Sequence, residues 1–357
     1  MERRLARLQT LLDEFELNGI LVTAPSNRFY LSGFLSDDDG GRPTAALLVD
    51  RLSATLYTGS TNVEWARGSA TGVRVEQWSR PWPAFIAGAI RDAGWQRVGF
   101  EDRSLSVSDF RELSQALGDD AQLVMLGATV DRLRRIKDDV EQARMARVIE
   151  LTDAAFAEVV PDLRTGMTER DFAWRIDRAI RDLGGEGSAF PTIVASGPNA
   201  ARPHHSPTTR RIEPGEPVIV DMGARLDGYN GDLTRTIWLG QPSAKLEEIY
   251  EIVMSANRAA WDEVRAGVAG KMVHEAAASV ISNAGYRENY LHGTGHGLGI
   301  LVHEAPSSSA TSDDVLEPGD VMTIEPGIYL PGWGGVRIED VGVVEETGFR
   351  RLTGAAK

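Results

Sequence analysis

Leu5, Leu8, Leu12 and Phe15 recur at helical spacing in the opening MERRLARLQTLLDEFELNG, which predicts an amphipathic first helix. Short apolar runs bounded by turn formers then read as strands at 20–23, 45–49, 54–57, 73–78, 97–100 and 122–126. Helical stretches near 62–67, 84–92 and 108–117 lie between them. The alternation predicts a modest α/β domain over residues 1–127.

Beyond it the texture changes. RLRRIKDDVEQARMARVIELTDAAFAEVV places Met145, Val148, Thr152, Phe156 and Val159 on one stripe of a long charged helix. A second helix opens with Thr168 as its cap, carries Phe172, Ile176, Ile180 and Leu183, and stops at Gly184-Gly185. Two more are expected at 243–265 and 272–284. Strand-like segments fall at 192–196, 217–222, 232–238, 321–324, 327–330 and 335–344. Helices set apart from antiparallel hairpins predict an α+β domain, and we assign it residues 128–357.

Composition narrows the function. The 357-residue chain is 42% apolar and 25% charged, ordinary for a globular protein. With no apolar run of membrane-spanning length and no signal-peptide pattern at the start, a cytoplasmic protein is expected. The absence of cysteine excludes disulfides, thiolate metal ligands and a cysteine nucleophile. A net charge of −14 argues against nucleic-acid and anionic-membrane partners.

The candidate chemistry lies in clustered acids and histidines. Asp221 and Asp232 sit in VDMGARLDGYNGDLTRT, where Asp227-Gly228 between β-formers is a two-residue hairpin signal. With that loop, residue 226 faces 229 and 221 faces 234. Asp232 then becomes the diagonal neighbour of Asp221 on one face, roughly 7–8 Å away. Gly231 could add a bulge that re-aims Asp232. Read alone, such a pair more often marks a solvated hairpin than a site. Glu325 and Glu339 flank PGWGG in the same fashion, and alternation allows only one of Glu339 and Asp340 to face a site. His296 lies in GTGHGLG, where glycines suit close backbone approach to a compact group such as an ion. Four carboxylates and one imidazole favour Mn²⁺, Co²⁺ or Zn²⁺ over a soft metal. Two such ions would yield an activated water.

VDMGARLDGYNGDLTRT, HGTGHGLGILVHEAP, EPGDVMTIEPGIYLPGWGGVRIEDV and SGPNAARPHH together resemble the aminopeptidase P/prolidase branch of the pita-bread metallopeptidases. The resemblance covers about 131–350 in order, while residues 1–127 resemble the creatinase-like N-terminal domain more loosely. It implies an α+β pita-bread catalytic domain and two divalent ions per subunit, with Mn²⁺ first. Asp232 and Glu339 would bridge the ions, Asp221 would hold one, and His296 and Glu325 the other. Glu325 would also take the proton of the attacking water. His204 is the histidine expected to contact substrate, ahead of His205. His303 would steady the tetrahedral intermediate, and Arg337 would orient carboxylates or bind substrate. Structural roles are expected for His205 and His292, and support of Asp232 for Thr234. The resemblance also implies a homodimer.

The chain departs from the pattern just after HEAP, where an arginine of many prolidases is replaced by Ser307-Ser308-Ser309. A substitute anchor is sought in LSDDDGGRP, with Asp37, Asp38 and Asp39 facing an ammonium and Arg42 a carboxylate. The function implied is hydrolysis of the bond preceding proline, with Xaa-Pro dipeptides favoured over longer peptides. A methionine aminopeptidase conflicts with the extra N-terminal domain, and a metal-free creatinase-like enzyme with the filled ligand positions. A non-catalytic peptide-binding module on the same fold is the alternative of another class.

Overall fold

The computed structural model describes residues 2–36, 38, 42–79 and 81–357. They form two compact units, Met1–Arg134 and Arg135–Lys357. The first carries helices α1 (Glu2–Glu14), α2 (Pro25–Ser32), α3 (Val63–Ser69), α4 (Trp82–Asp92), α5 (Val107–Leu117) and α6 (Thr129–Arg132). Its strands are β1 (Gly19–Val22), β2 (Ala45–Val49), β3 (Ala54–Thr58), β4 (Arg74–Gln77), β5 (Arg97–Phe100) and β6 (Gln122–Met125). They make one mixed sheet in the order β4-β3-β2-β1-β5-β6.

Helix α1 buries Leu5, Leu8, Leu11 and Leu12, so Leu11 takes the place expected for Phe15, which lies past the helix end. Helix α2 is not among the helices expected from the sequence. It forms because Pro25 suits a first turn and Gly33 closes the end at φ 75°. Its Arg28 is fully buried and donates to Ala45 O at 2.9 Å and Ser36 O at 3.0 Å. The unit runs past the expected boundary at 127. Asn27 donates to Asp131 at 2.9 Å and accepts from Arg134 at 3.0 Å, which ties α6 and the turn after it to α2.

The second unit begins with α7 (Asp139–Val159) and α8 (Glu169–Asp182). Asp138 and Glu141 form a capping box on α7, and Thr168 and Asp171 one on α8, each satisfying amide donors of the first turn. The predicted stripe of α7 is buried throughout. On α8 Leu183 is exposed, because it caps the end rather than continuing the buried face.

Next come β7 (Gly187–Ser188), β8 (Ile193–Ser196), β9 (Val218–Met222), β10 (Ala224–Leu226), β11 (Tyr229–Asn230) and β12 (Leu233–Ile237). Helices α9 (Ala244–Glu263) and α10 (Gly270–Asn283) follow. The last strands are β13 (Gly295–Gly297), β14 (Glu304–Ser308), β15 (Val321–Ile324), β16 (Gly327–Leu330), β17 (Gly334–Arg337), β18 (Asp340–Glu345) and β19 (Gly348–Arg351). Helices α9 and α10 pack Ile249, Val253, Val273 and Ile281 against Met322, Ile328 and Val336.

Two long hairpins organise this unit. One pairs Asp221 with Thr234 and Leu226 with Tyr229, the register expected from the sequence. Asp227 and Gly228 have φ of 51° and 74°, as a type I′ turn requires. The register is the same on both sides of Gly231, so the expected bulge is absent. The second hairpin pairs Ile324 with Asp340 and Gly327 with Arg337, again in a single register. The strand expected over 335–344 is therefore two, β17 and β18, parted at Ile338 and Glu339.

Candidate metal centre

Asp232, Glu325 and Glu339 project where their hairpins lose regular pairing, whereas Asp221 lies within the β9 ladder. In the first hairpin, Gly223 passes close beside Gly231, one step from facing it in the register; a Cβ on Gly223 would lie 2.0 Å from Gly231 O, and one on Gly231 2.2 Å from Thr152 Oγ1 of α7. That close passage of hairpin over helix leaves Asp232 just before β12, with Asp221 on β9. In the second, Pro326 has no amide to offer the ladder. Glu325 follows β15, Glu339 precedes β18, and continuing the register one step sets them opposite each other. Glu339 N donates to Thr234 O at 3.1 Å, which joins the two hairpins.

His296 enters from β13. Its glycines do not make room for an ion, as the sequence suggested. A Cβ on Gly295 would lie 1.9 Å from Thr323 O, and one on Gly297 2.1 Å from Ala305 O. They let β13 fit between β14 and β15, which aims the imidazole inward.

The five residues meet. His296 Nε2 lies 3.2 Å from Glu325 Oε1 and 3.8 Å from Asp232 Oδ2. Ligand atoms of Asp232, His296 and Glu339 all fall within 4.8 Å of one another. Buried Arg337 donates to Asp221 Oδ2 at 2.6 Å, to Tyr329 Oη at 2.9 Å and to Thr234 Oγ1 at 3.2 Å. Asp221 Oδ1 is buried with no hydrogen-bond partner among the described residues.

The electrostatics are those of a site short of positive charge. Burial and then the charges of Glu339, Asp221 and Glu325 push Asp232 well above the usual carboxylate range. Burial, Glu325 and Asp221 raise Glu339 to about 8. Burial also raises Asp221, against the pull of Arg337. Glu325 goes the other way: burial would raise it, but its hydrogen bond to His296 prevails and brings it to about 2. His296 answers with a rise to about 9, burial being outweighed by Glu325 and Glu339. Protons and an imidazolium here balance charge that a divalent cation would balance better. With an orphaned buried oxygen on Asp221, the donor set fits such a cation.

All five line one cavity of about 540 Å³, together with His204, His303 and Arg337. Phe190, Pro191, Ile193 and Val302 supply its apolar wall. A larger surface trough of about 820 Å³ beside Glu158, Trp174 and Asp182 has no convergent ligand set, so chemistry is assigned to the smaller space. The ring of His303 stands edge-on to that of His296, 4.3 Å between centroids. Burial, then the charge of His296, lowers the His303 pKa.

Residues 143–346 match metallopeptidase family M24, and residues 4–136 match the creatinase/prolidase N-terminal domain. The chain belongs to metallopeptidase family M24. Membership makes it a divalent-metal-binding hydrolase of the pita-bread fold. It is 33% identical to a Xaa-Pro dipeptidase of Pyrococcus furiosus, over 99% of this chain and 98% of that protein. Among solved structures, a Xaa-Pro dipeptidase from Bacillus anthracis superposes with a TM-score of 0.94 at 35% identity, covering 100% of this chain and 98% of that one. An X-Pro aminopeptidase from Thermotoga maritima superposes with a TM-score of 0.89 at 32% identity, covering 99% and 98%.

In this M24 metallopeptidase several partners had no signal in the sequence. Tyr329 Oη accepts from Arg337 and donates to His292 Nε2 at 2.7 Å, while His292 Nδ1–H donates to Gly293 O at 2.7 Å. Thr234 supports Glu339 rather than Asp232, donating to its Oε2 at 2.8 Å. Glu169, at the first turn of α8, is fully buried and accepts from Ser196, Asn199, His205 and Thr208. It fixes the loop on which exposed His204 stands, and occupies His205 structurally. In the N-terminal unit, Asp38 Oδ1 accepts from Arg28 at 2.8 Å and from Thr44 N at 3.1 Å. Arg42 is exposed, 4.0 Å from Glu112. Asp37 and Asp39 lie outside the described residues.

Proposed function

We propose that this M24 metallopeptidase hydrolyses the peptide bond preceding proline, with Xaa-Pro dipeptides as its preferred substrates. The observation that carries the reading is the convergence of Asp221, Asp232, His296, Glu325 and Glu339 in one cavity beside His204 and His303. The names of the similar proteins support the substrate class. These five side chains would hold two divalent ions, Mn²⁺ first, with Asp232 and Glu339 shared. Such ions, when bound, supply a water acidic enough to ionise near neutrality and polarise the scissile carbonyl.

The chain's own groups do the rest. Glu325, held ionised by its hydrogen bond with His296, accepts the proton of the attacking water and passes it to the leaving proline nitrogen. His303, whose pKa is lowered, and the exposed His204 flank the reacting carbonyl as hydrogen-bond donors. Arg337 opposes the burial that raises Asp221 and aims its carboxylate. Phe190, Pro191, Ile193 and Val302 offer apolar surface to a proline ring. We extend the reading to a cytoplasmic homodimer, which size-exclusion with light scattering would check.

One observation favours a second reading, an aminopeptidase acting on longer Xaa-Pro peptides. Among the described lining residues Arg337 is the one guanidinium, and Asp221, Tyr329 and Thr234 already engage it. Ser307 and Ser309 line the rim instead of a cation for a dipeptide carboxylate. Paired assays with Mn²⁺ on a Xaa-Pro dipeptide and the matching tripeptide decide. Faster dipeptide cleavage upholds the proposal, and equal or faster tripeptide cleavage transfers it to the second reading. Cleavage of neither would leave a binding module.

A further inference from the structure

Behind the two glutamates lies a buried polar cluster, none of whose members lines the cavity. Asn257, on α9 and 1% exposed, donates through Nδ2 to Ile324 O at 2.9 Å and Ile338 O at 3.3 Å. Those carbonyls belong to the residues immediately before Glu325 and Glu339. One amide thus fixes the two points at which the chain leaves the paired ladder to present its glutamates.

Asn257 Oδ1 in turn accepts from Lys357 Nζ at 2.7 Å, and the same ammonium lies 2.5 Å from Asp340 Oδ2. Asp340 Oδ1 accepts from Arg235 Nη2 at 2.9 Å. Arg235 donates also to Glu339 O, Thr234 O, Ala355 O and Ala356 O, so all five of its N–H groups are used. Arg235 and Asp340 are essentially inaccessible, and the Lys357 side chain is 14% exposed. The cluster therefore runs unbroken from Lys357 to the backbone of both glutamates.

We infer that Asn257 and Lys357 are positioning residues for the metal-holding glutamates, Lys357 closing a cluster that sets the affinity of the site for its ions. The inference rests on the metal reading of Glu325 and Glu339. Neither residue touches substrate. Each acts through the carbonyls of Ile324 and Ile338, or through Asp340 and Arg235. Partners behind a metal's ligands typically set its affinity by about 10–100-fold.

The test is competition for Mn²⁺ between the chelator-stripped full chain and a chromogenic chelator, with thermal melting of the stripped protein alongside. Lys357→Gln is expected to bind Mn²⁺ about tenfold or more weakly, with Lys357→Arg between it and the wild type. Asn257→Asp retains the acceptor for Lys357 but turns a carboxylate on the two carbonyls. It should weaken Mn²⁺ similarly, and it carries the test if Lys357→Gln does not fold. A lowered melting midpoint with unchanged Mn²⁺ affinity would reduce the cluster to a stabilising role and overturn the inference alone. Absence of Mn²⁺ binding by the wild type would overturn the metal reading with it.

Discussion

Thr234 donates its hydroxyl to Glu339 Oε2 at 2.8 Å, and so bonds a side chain of one acid-bearing hairpin to a carboxylate of the other. The Thr234 hydroxyl oxygen also accepts from Arg337 Nε at 3.2 Å. One small side chain thus orients both a carboxylate and the guanidinium beside it. Thr234→Val keeps the shape but leaves both groups without that partner. We expect Mn²⁺ affinity to fall about tenfold, measured by chelator competition. Unchanged affinity would make the contact incidental.

Arg337 spans Asp221, Tyr329 and Thr234 with separate nitrogens, which a point-charge ammonium cannot do. Arg337→Lys should retain a folded protein yet lower kcat/KM by about 10–100-fold, with Mn²⁺ affinity lowered as well. Near-wild-type turnover would show that charge alone suffices.

Removing metal should make stability depend on pH with a definite sign. Glu339 is raised to about 8 in the fold. A raised acid binds more protons folded than unfolded, so its contribution is full below its ordinary pKa of 4.5 and is lost as pH climbs through 8. His296, raised to about 9, contributes with the same sign at higher pH. Glu325, lowered to about 2, contributes above its ordinary 4.5 and loses that only as pH falls toward 2. The chelator-stripped protein should therefore melt lower near about pH 8 than near about pH 5.5. Added Mn²⁺ should raise the midpoint most at the higher pH, because ligation needs unprotonated carboxylates. Melting curves at both values, with and without chelator, check this; equal metal-induced shifts would contradict it.

Glu169 is held at about 2: burial would raise it, but hydrogen bonds from Thr208, Asn199, His205 and Ser196 prevail. Its contribution is present above its ordinary 4.5 and disappears as pH falls through 2. Glu169→Gln puts an amide among donors that need an acceptor. A loss of about 1–3 kcal/mol in urea unfolding is expected, with lower kcat through the loop of His204. Stability equal to wild type would mean that the loop has other supports.

Local pattern made part of this legible. Hairpin parity around Asp227-Gly228 set Asp221 opposite Thr234, and Thr168 read as a cap because it precedes an apolar stripe. What stayed hidden was decided by contacts distant in sequence. Lys357 meets Asn257 across 100 residues, and Arg337 meets Asp221 across 116. No periodicity marks such partners. Short elements failed for a different reason: β13 is Gly-His-Gly, and its glycines answer to the backbones on either side rather than to strand propensity. Helix α2 has eight residues rich in turn formers, and it is specified by the pocket that receives Arg28.

The unbroken register of each hairpin has a consequence for changes in chain length. Both turns lie outward of the acids, so the ladder acts as a ruler from the tip to the ligand. Two residues added at Asp227-Gly228 would lengthen the ribbon and leave Asp221 and Asp232 on one face. A single residue inserted between that tip and Asp232 would reverse its facing and point the carboxylate away from the centre. Metal content of the two insertion variants would separate these cases. Such a hairpin can drift in length by twos, a constraint that belongs to parity and not to any one side chain.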